Sequence, residues 1–103
     1  WSFPNELIFF PSISQHISAT ASLNFPSINT NSCQELTITA AGAADGDTVS
    51  LGVPNALASA LTTLTFNGWV SAANTVTVRA CNINAILAVD PAAATVRADV
   101  WKH

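Results

Sequence analysis

The chain has 103 residues; half of them are hydrophobic, only 9 % are charged, and the formal net charge is -3. This length supports one domain with a single modest core. A net negative charge with three fixed cations argues against binding to a nucleic-acid backbone, and no run approaches the roughly 18 apolar residues of a membrane span. The charged fraction lies far below the roughly 25 % usual for soluble domains, which favours a chain that works inside an assembly.

Residues 1–18 differ from the rest and are predicted to form an extended N-terminal arm. Pro4 and Pro11 interrupt this segment, and proline at that density disfavours both a helix interior and a central strand. The arm needs an apolar surface, either on a partner or on the domain's own core, and the sequence leaves both placements open. Its large apolar side chains, which we predict to bind a partner, are Trp1, Phe3, Leu7, Ile8, Phe9 and Phe10.

Residues 19–103 are predicted to form the folded domain. Apolar and polar side chains alternate along six or seven short runs, the pattern of strands with one buried face. Turn-forming residues separate the runs, at Pro26, in the Gly- and Asp-rich segment 41–47, at Pro54 and at Asp90-Pro91. A single helical turn is predicted over 55–61. The fold class is therefore all-β, an antiparallel β-sandwich of immunoglobulin-like or jelly-roll-like type.

The polar phase of the last strands contains unusual residues for a surface exposed to water. Two tryptophans fall on it, and interfaces are enriched in tryptophan and arginine. We therefore predict a sheet face that contacts another subunit. Packing within the domain is the second interpretation, and stacking on a carbohydrate is the third. The residues of this predicted face are Trp69, Arg79, Arg97 and Trp101.

The two cysteines, Cys33 and Cys81, each stand at the end of a predicted strand. If those strands are antiparallel, both thiols lie at the same end of the domain and a disulfide is possible. Two small buried thiols are the favoured interpretation, because free cysteine packs as a small hydrophobic residue. Two thiols without further ligands nearby are too few for a metal site.

No pattern of catalytic residues is recognisable. Asp45 and Asp47 lack the further acidic ligands of a calcium loop and are interpreted as turn residues. His16 and His103 have no supporting nucleophile motif, and no G-x-S-x-G sequence is present. The sequence therefore predicts a protein that is not an enzyme and uses no cofactor or metal.

Several segments together resemble a small β module of tailed-bacteriophage structural proteins, found in virion proteins of head-decoration, head-fibre and tail-fibre type. The resemblance covers roughly residues 19 to 102. It does not include the aromatic arm. The segments are "ATASLNFPSI" (19–28), "ELTIT" (35–39), "GDTVSLGVP" (46–54), "VSAANTVTVRACN" (70–82) and "VDPAAATVRADVW" (89–101).

This resemblance implies a structural role without catalytic residues. The protein is expected to assemble in the host cytoplasm, to be exposed on the virion surface, and to bind the major capsid protein or another virion protein. A homo-oligomer is expected, with threefold symmetry suggested by similar phage proteins. The leading hypothesis is a capsid decoration (cement) or head-fibre subunit that attaches through its arm and sheet edges. The alternative is a receptor- or glycan-binding module of a tail fibre.

Overall fold

The computed structural model describes residues 13–59 and 64–103. Within these ranges, two three-stranded antiparallel sheets, with strand orders β1-β6-β3 and β2-β5-β4, pack into a sandwich. The prediction of an all-β sandwich is confirmed, as is the helical turn after Pro54. The elements are β1 (Gln15–Leu23), β2 (Ser32–Thr39), β3 (Thr48–Gly52), α1 (Asn55–Ser59), β4 (Leu64–Ala72), β5 (Thr75–Asn82) and β6 (Ala94–Lys102).

The chain alternates between the two sheets. Every connection between consecutive strands crosses from one sheet to the other, except the short β4–β5 hairpin. An immunoglobulin-like sandwich keeps more of its consecutive strands within one sheet, so the alternation between sheets is closer to that of a jelly roll, although only six strands are described. The ends of β1, β3 and β5 and the starts of β2, β4 and β6 lie at one end of the sandwich, which we call the loop end. The opposite end, the terminal end, contains the start of β1 and the finish of β6.

The core lies between the sheets, and the two central strands run through its middle. Val76 and Val78 of β5 and Val96 and Val100 of β6 are fully buried, as their alternation in the sequence predicts. Complete burial of an aliphatic side chain stabilises a fold by about 1.5–3 kcal/mol. The flanking strands and the connections contribute further buried side chains, including the large Phe25, and a rim of half-buried ones. The hydrophobic stabilisation is therefore shared between the central strands and the segments around them.

The two sheets approach closely at Gly68 of β4. A Cβ atom there would lie 3.0 Å from the Cδ2 atom of Leu51, which belongs to the facing sheet. The glycine thus makes room for a leucine from across the sandwich. Nearby, the rings of Phe25 and Phe66 pack edge to face with centroids 6.2 Å apart. These contacts fix the spacing of the sheets.

Strand β1 begins inside the segment predicted as an arm. Gln15 pairs with Lys102, and the backbone N–H of Ser14 donates to the Lys102 carbonyl, so residues 15–18 belong to the sheet. The predicted boundary at residue 19 is therefore too late. The physical reason is that β6 extends to Lys102, and its backbone groups need a partner along that whole length. The six predicted arm residues lie outside the described part of the chain.

The predicted turn over 41–47 is confirmed. Gly42 and Gly46 have φ angles of 96° and 91°, in the left-handed region that favours glycine. The Asp47 carboxylate accepts a hydrogen bond from the Ala44 backbone N–H and forms an ion pair of 2.7 Å with the Lys102 Nζ atom. Asp47 therefore stabilises the turn and ties it to the end of β6.

Candidate functional site

The four residues predicted to form one contact face lie on opposite surfaces of the sandwich. Trp69 and Arg79 project from the outer face of the β2-β5-β4 sheet, whereas Arg97 and Trp101 project from the outer face of the β1-β6-β3 sheet. All four point away from the core, as their phase predicts. The expectation of a single shared face is wrong, because alternation separates inside from outside but does not assign a strand to a sheet.

On the β2-β5-β4 face, the charged groups are satisfied within the domain. The Arg79 guanidinium donates through Nε to the Glu35 carboxylate at 2.8 Å and lies 4.7 Å from the centre of the Trp69 ring. Thr77, directly opposite Trp69, donates to the Ser71 hydroxyl at 2.6 Å. Trp69 is therefore engaged in a cation–π contact with its own sheet, which agrees with the interpretation of packing within the domain.

The cysteines form a disulfide on this same outer face. Cys33 and Cys81 occupy directly opposed positions on β2 and β5, with Cα atoms 4.0 Å apart and the sulfur atoms bonded. The favoured prediction of two buried thiols is wrong, and Cys33 is exposed. The sequence placed both residues at one end of the domain, but only the strand register brings them face to face.

A hydrogen-bonded network runs along the β1-β6-β3 face, and we call it the outer-face network. Its members are Arg97, Ser18, Asp99, His16 and Trp101. The Arg97 Nη1 atom donates to the Ser18 hydroxyl at 2.6 Å, and Ser18 also hydrogen-bonds Asp99. The His16 Nε2 atom lies 3.0 Å from the Asp99 carboxylate, and the His16 ring stacks on Trp101 at 4.1 Å. Cross-strand pairing between β1 and β6 brings these side chains together.

Sequence reasoning missed the β1 members of this network. His16 and Ser18 fall within the predicted arm, residues 1–18. They nevertheless alternate with Ile17 and Ala19 in the period of a β-strand. That alternation was the available signal. It was obscured because Pro11 and the aromatic residues before it suggested an irregular segment.

The order of groups in the outer-face network does not activate a nucleophile. A Ser-His-Asp triad places the histidine between the serine and the carboxylate, so that the imidazole takes the hydroxyl proton. Here the Asp99 carboxylate stands between His16 and Ser18. The arrangement places a positive charge at one end of the network and an aromatic ring at the other.

The carboxylates of Asp47 and Asp99, which are hydrogen-bonded by Lys102 and His16, predict that the fold is less stable in acid. The hydrogen bond from His16, with a smaller one from Ser18, lowers the pKa of Asp99, and the hydrogen bond from Lys102 lowers the pKa of Asp47. Folded-state pKa values below the unfolded values give stabilisation that is present above about pH 4 and is lost as the pH falls through the folded-state values. We expect denaturant unfolding to show a lower free energy of unfolding at pH 3 than at pH 6.

The double variant Asp47→Asn and Asp99→Asn is the matched control for this pH effect. It should show a flatter dependence of the unfolding free energy between pH 3 and pH 6. An equal fall in the wild type and the variant would assign the acid sensitivity to other groups.

A shallow cleft of about 270 Å³ lies beside the Arg97 end of the outer-face network. It is open to solvent and combines a cation, two hydroxyl groups and a small apolar wall. Its lining residues are Thr20, Gly52, Val53, Pro54, Thr95 and Arg97.

The β5–β6 connection presents a second candidate surface at the loop end. Ile83, Ile86 and Leu87 are 61 %, 84 % and 63 % exposed, and we call these three residues the apolar tip. No charged residue occurs between 83 and 89. Clustered exposed aliphatic side chains of this kind are typical of protein contact sites.

Two asparagines hold the apolar tip in place. The Asn82 side chain is 1 % exposed; its amide donates to the carbonyls of Ile28 and Leu87 at 3.1 and 2.9 Å, and its oxygen accepts from the Asn84 N–H at 2.9 Å. The Asn84 oxygen in turn accepts from the N–H groups of Ile86 and Leu87. The loop is therefore ordered by its own polar groups.

No protein-family model, curated protein or solved structure matches this chain. The site is therefore interpreted from its geometry. Among the residues that the structure describes, no group of three or more His, Cys, Asp or Glu side chains is placed to hold a metal ion. Within the same ranges, no helix has the length and apolar character needed to cross a membrane.

Proposed function

We propose that this chain is a non-enzymatic structural protein of a tailed-bacteriophage virion, a capsid decoration (cement) or head-fibre subunit exposed on the particle surface. The observation that carries the proposal is the apolar tip. It is exposed, free of charge and held by hydrogen bonds from the buried Asn82 and from Asn84. The segments that resemble phage structural modules give the class of assembly.

The apolar tip has the properties of a preformed anchor. Each of its aliphatic side chains contributes about 1.5–3 kcal/mol when it becomes fully buried. A loop that is already ordered loses less conformational entropy on binding, so more of this free energy appears as affinity. The partner that fits is an apolar pocket of the major capsid protein or of a neighbouring virion protein.

The position of the tip suits a protein that joins two neighbours. The apolar tip lies at the loop end, whereas Ile13 and the start of β1 lie at the terminal end. The arm is connected to that terminal end and would contact a different neighbour in the assembly. A subunit with an apolar contact at each end can join adjacent proteins. Homo-oligomers generally have closed symmetry. The resemblance to phage proteins makes a trimer the first expectation.

The double variant Ile86→Ser and Leu87→Ser tests the anchoring role. We expect it to fold with an unchanged thermal midpoint, because both side chains are exposed, and to lose attachment to purified phage heads assembled without this chain. Co-sedimentation with the heads, followed by cryo-microscopy of the decorated particles, measures attachment. The matched control is the double variant Ala92→Ser and Ala93→Ser, which changes two exposed residues of the same connection outside the apolar tip and should still attach.

Attachment by the double serine variant at the wild-type level would overturn the role of the apolar tip.

Deletion of residues 1–12 tests the arm separately and leaves β1 complete. We expect this deletion to weaken attachment without changing the circular dichroism of the sandwich. Undiminished attachment would remove the arm from the proposal.

A receptor- or glycan-binding module of a tail fibre is the second candidate function. It is favoured by the outer-face network, where Trp101 and Arg97 lie on one exposed sheet face beside a cleft. Saturable binding of the full chain to a glycan array would support this function. The first candidate requires instead that the chain be located on the phage head.

A further inference from the structure

We propose that the cleft beside Arg97 binds a carboxylate-bearing saccharide, such as a uronic or sialic acid. The inference gives a site and a ligand class to the second candidate function and rests on it. It is independent of attachment through the apolar tip, which uses different residues, those of the β5–β6 connection. The argument depends on the charge, the shape and the chemical lining of the cleft.

The charge argument concerns the three fixed cations of the chain. Arg79 and Lys102 each form an ion pair with a carboxylate of the same chain. Arg97 forms no ion pair with any described residue; its hydrogen bond goes to the neutral hydroxyl of Ser18. The nearby Asp99 carboxylate attracts the Arg97 charge through space, but its hydrogen bonds come from His16 and Ser18. A guanidinium has five N–H donors in a planar arrangement, so Arg97 keeps donors for an external carboxylate.

The shape of the cleft depends on Gly52. This residue pairs with Arg97 in the sheet, and a Cβ atom added to it would lie 3.4 Å from the Arg97 Cβ atom. The absence of a side chain at Gly52 therefore leaves open the space beside the arginine. The volume of about 270 Å³ is just below the roughly 300–1,000 Å³ of pockets that bury drug-sized ligands. It suits a single ring.

The lining matches the mixed chemistry of an acidic sugar. Thr20 and Thr95 are exposed and present hydroxyl groups that both donate and accept hydrogen bonds, as sugar hydroxyls require. Val53 and Pro54 form an apolar wall for the C–H face of the ring. An acidic side chain of a protein would use the arginine but leave the hydroxyls and the apolar wall without matching groups. The full lining therefore favours a saccharide.

The test uses the full chain and defined probes on a glycan array and in titrations followed by NMR. The acidic probes are oligogalacturonate and sialyl-lactose, with neutral galactose oligomers and lactose as their counterparts. We expect binding to at least one acidic probe, with the neutral counterpart at least about tenfold weaker, since one charge-assisted pair commonly changes affinity by this factor. Chemical shift changes should centre on Gly52 and Thr95.

Two variants place the site, and a third serves as the control. Arg97→Gln removes the charge, and Gly52→Thr fills the cleft. The backbone at Gly52 lies outside the left-handed region, so it accepts a side chain without strain, and the added Cβ would stand 3.4 Å from the Arg97 Cβ. Each should weaken binding at least about tenfold while the thermal midpoint stays close to that of the wild type. Arg79→Gln removes the same charge from the opposite face and should bind as the wild type does.

The outcomes separate the site from the function. Unchanged binding by Arg97→Gln or Gly52→Thr overturns this site and leaves glycan binding standing. Equal binding of neutral and acidic probes overturns the ligand class. A poly-glutamate peptide that competes at equal affinity overturns the saccharide in favour of an acidic protein partner. The lack of binding to any saccharide overturns the inference and removes glycan binding from the second candidate function.

Discussion

Replacement of both cysteines by serine is expected to lower the free energy of unfolding by about 4 kcal/mol. The disulfide joins Cys33 to Cys81, which are 48 residues apart in the sequence. A crosslink across that length restricts the unfolded chain strongly, which is the source of the expected stabilisation in the chain-entropy model. Small domains have a total stability of about 5–15 kcal/mol, so the loss is a large fraction of it. Equilibrium denaturation in urea measures the change.

The matched control for the disulfide is the response to a reducing agent. Dithiothreitol should destabilise the wild type by a similar amount and leave the Cys33→Ser and Cys81→Ser double variant unchanged. A wild type that is equally stable with and without the reductant would contradict the expected contribution of the bond.

The disulfide also acts on the candidate surface at the loop end. It ties the edge strand β2 to the central strand β5, and the next pair in the register toward the loop end joins Ser32 to Asn82. Asn82 is the residue that holds the apolar tip. Reduction should therefore increase hydrogen exchange in the β5–β6 connection as well as lower global stability.

Features that depend on local pattern could be predicted from the sequence. The alternation along 75–80 and 95–100 identified the buried phase, and Val76, Val78, Val96 and Val100 occupy the core accordingly. Prolines and glycines marked the ends of strands because their backbone preferences act within a few residues. Fold class follows from these local signals when they recur along the whole chain.

Features that depend on strand order and register could not be predicted in this way. Trp69 and Trp101 share the outward phase, yet they lie on opposite surfaces because β4 and β6 belong to different sheets. The disulfide depends on a register in which a shift of one residue would separate the thiols. In the sequence, Asn82 is an ordinary residue at the end of a strand. Its buried amide bonds the carbonyl of Ile28, 54 residues away, and the local pattern gives no sign of that contact.

The substitution Asn82→Ala is expected to cost about 3 kcal/mol of unfolding free energy. The buried amide of Asn82 satisfies the carbonyls of Ile28 and Leu87 and the N–H of Asn84. Its removal takes the side-chain partner from the part-buried Leu87 carbonyl and Asn84 N–H, whereas the Ile28 carbonyl keeps its bond from the Val89 N–H. A buried polar group that loses its partner costs about 1–3 kcal/mol. Urea denaturation measures the loss, and an unchanged stability would show that water replaces the amide at no cost.

Asn84→Ala separates the order of the apolar tip from the stability of the fold. Its oxygen bonds the exposed N–H groups of Ile86 and Leu87, which water can also satisfy, so the unfolding free energy should change by less than about 1 kcal/mol. The tip would nevertheless lose its fixed conformation, and binding would then include the entropic cost of ordering it. We therefore expect Asn84→Ala to weaken attachment to phage heads although every apolar side chain is retained. Attachment at full strength would show that hydrophobicity alone, without a preformed loop, is sufficient for anchoring.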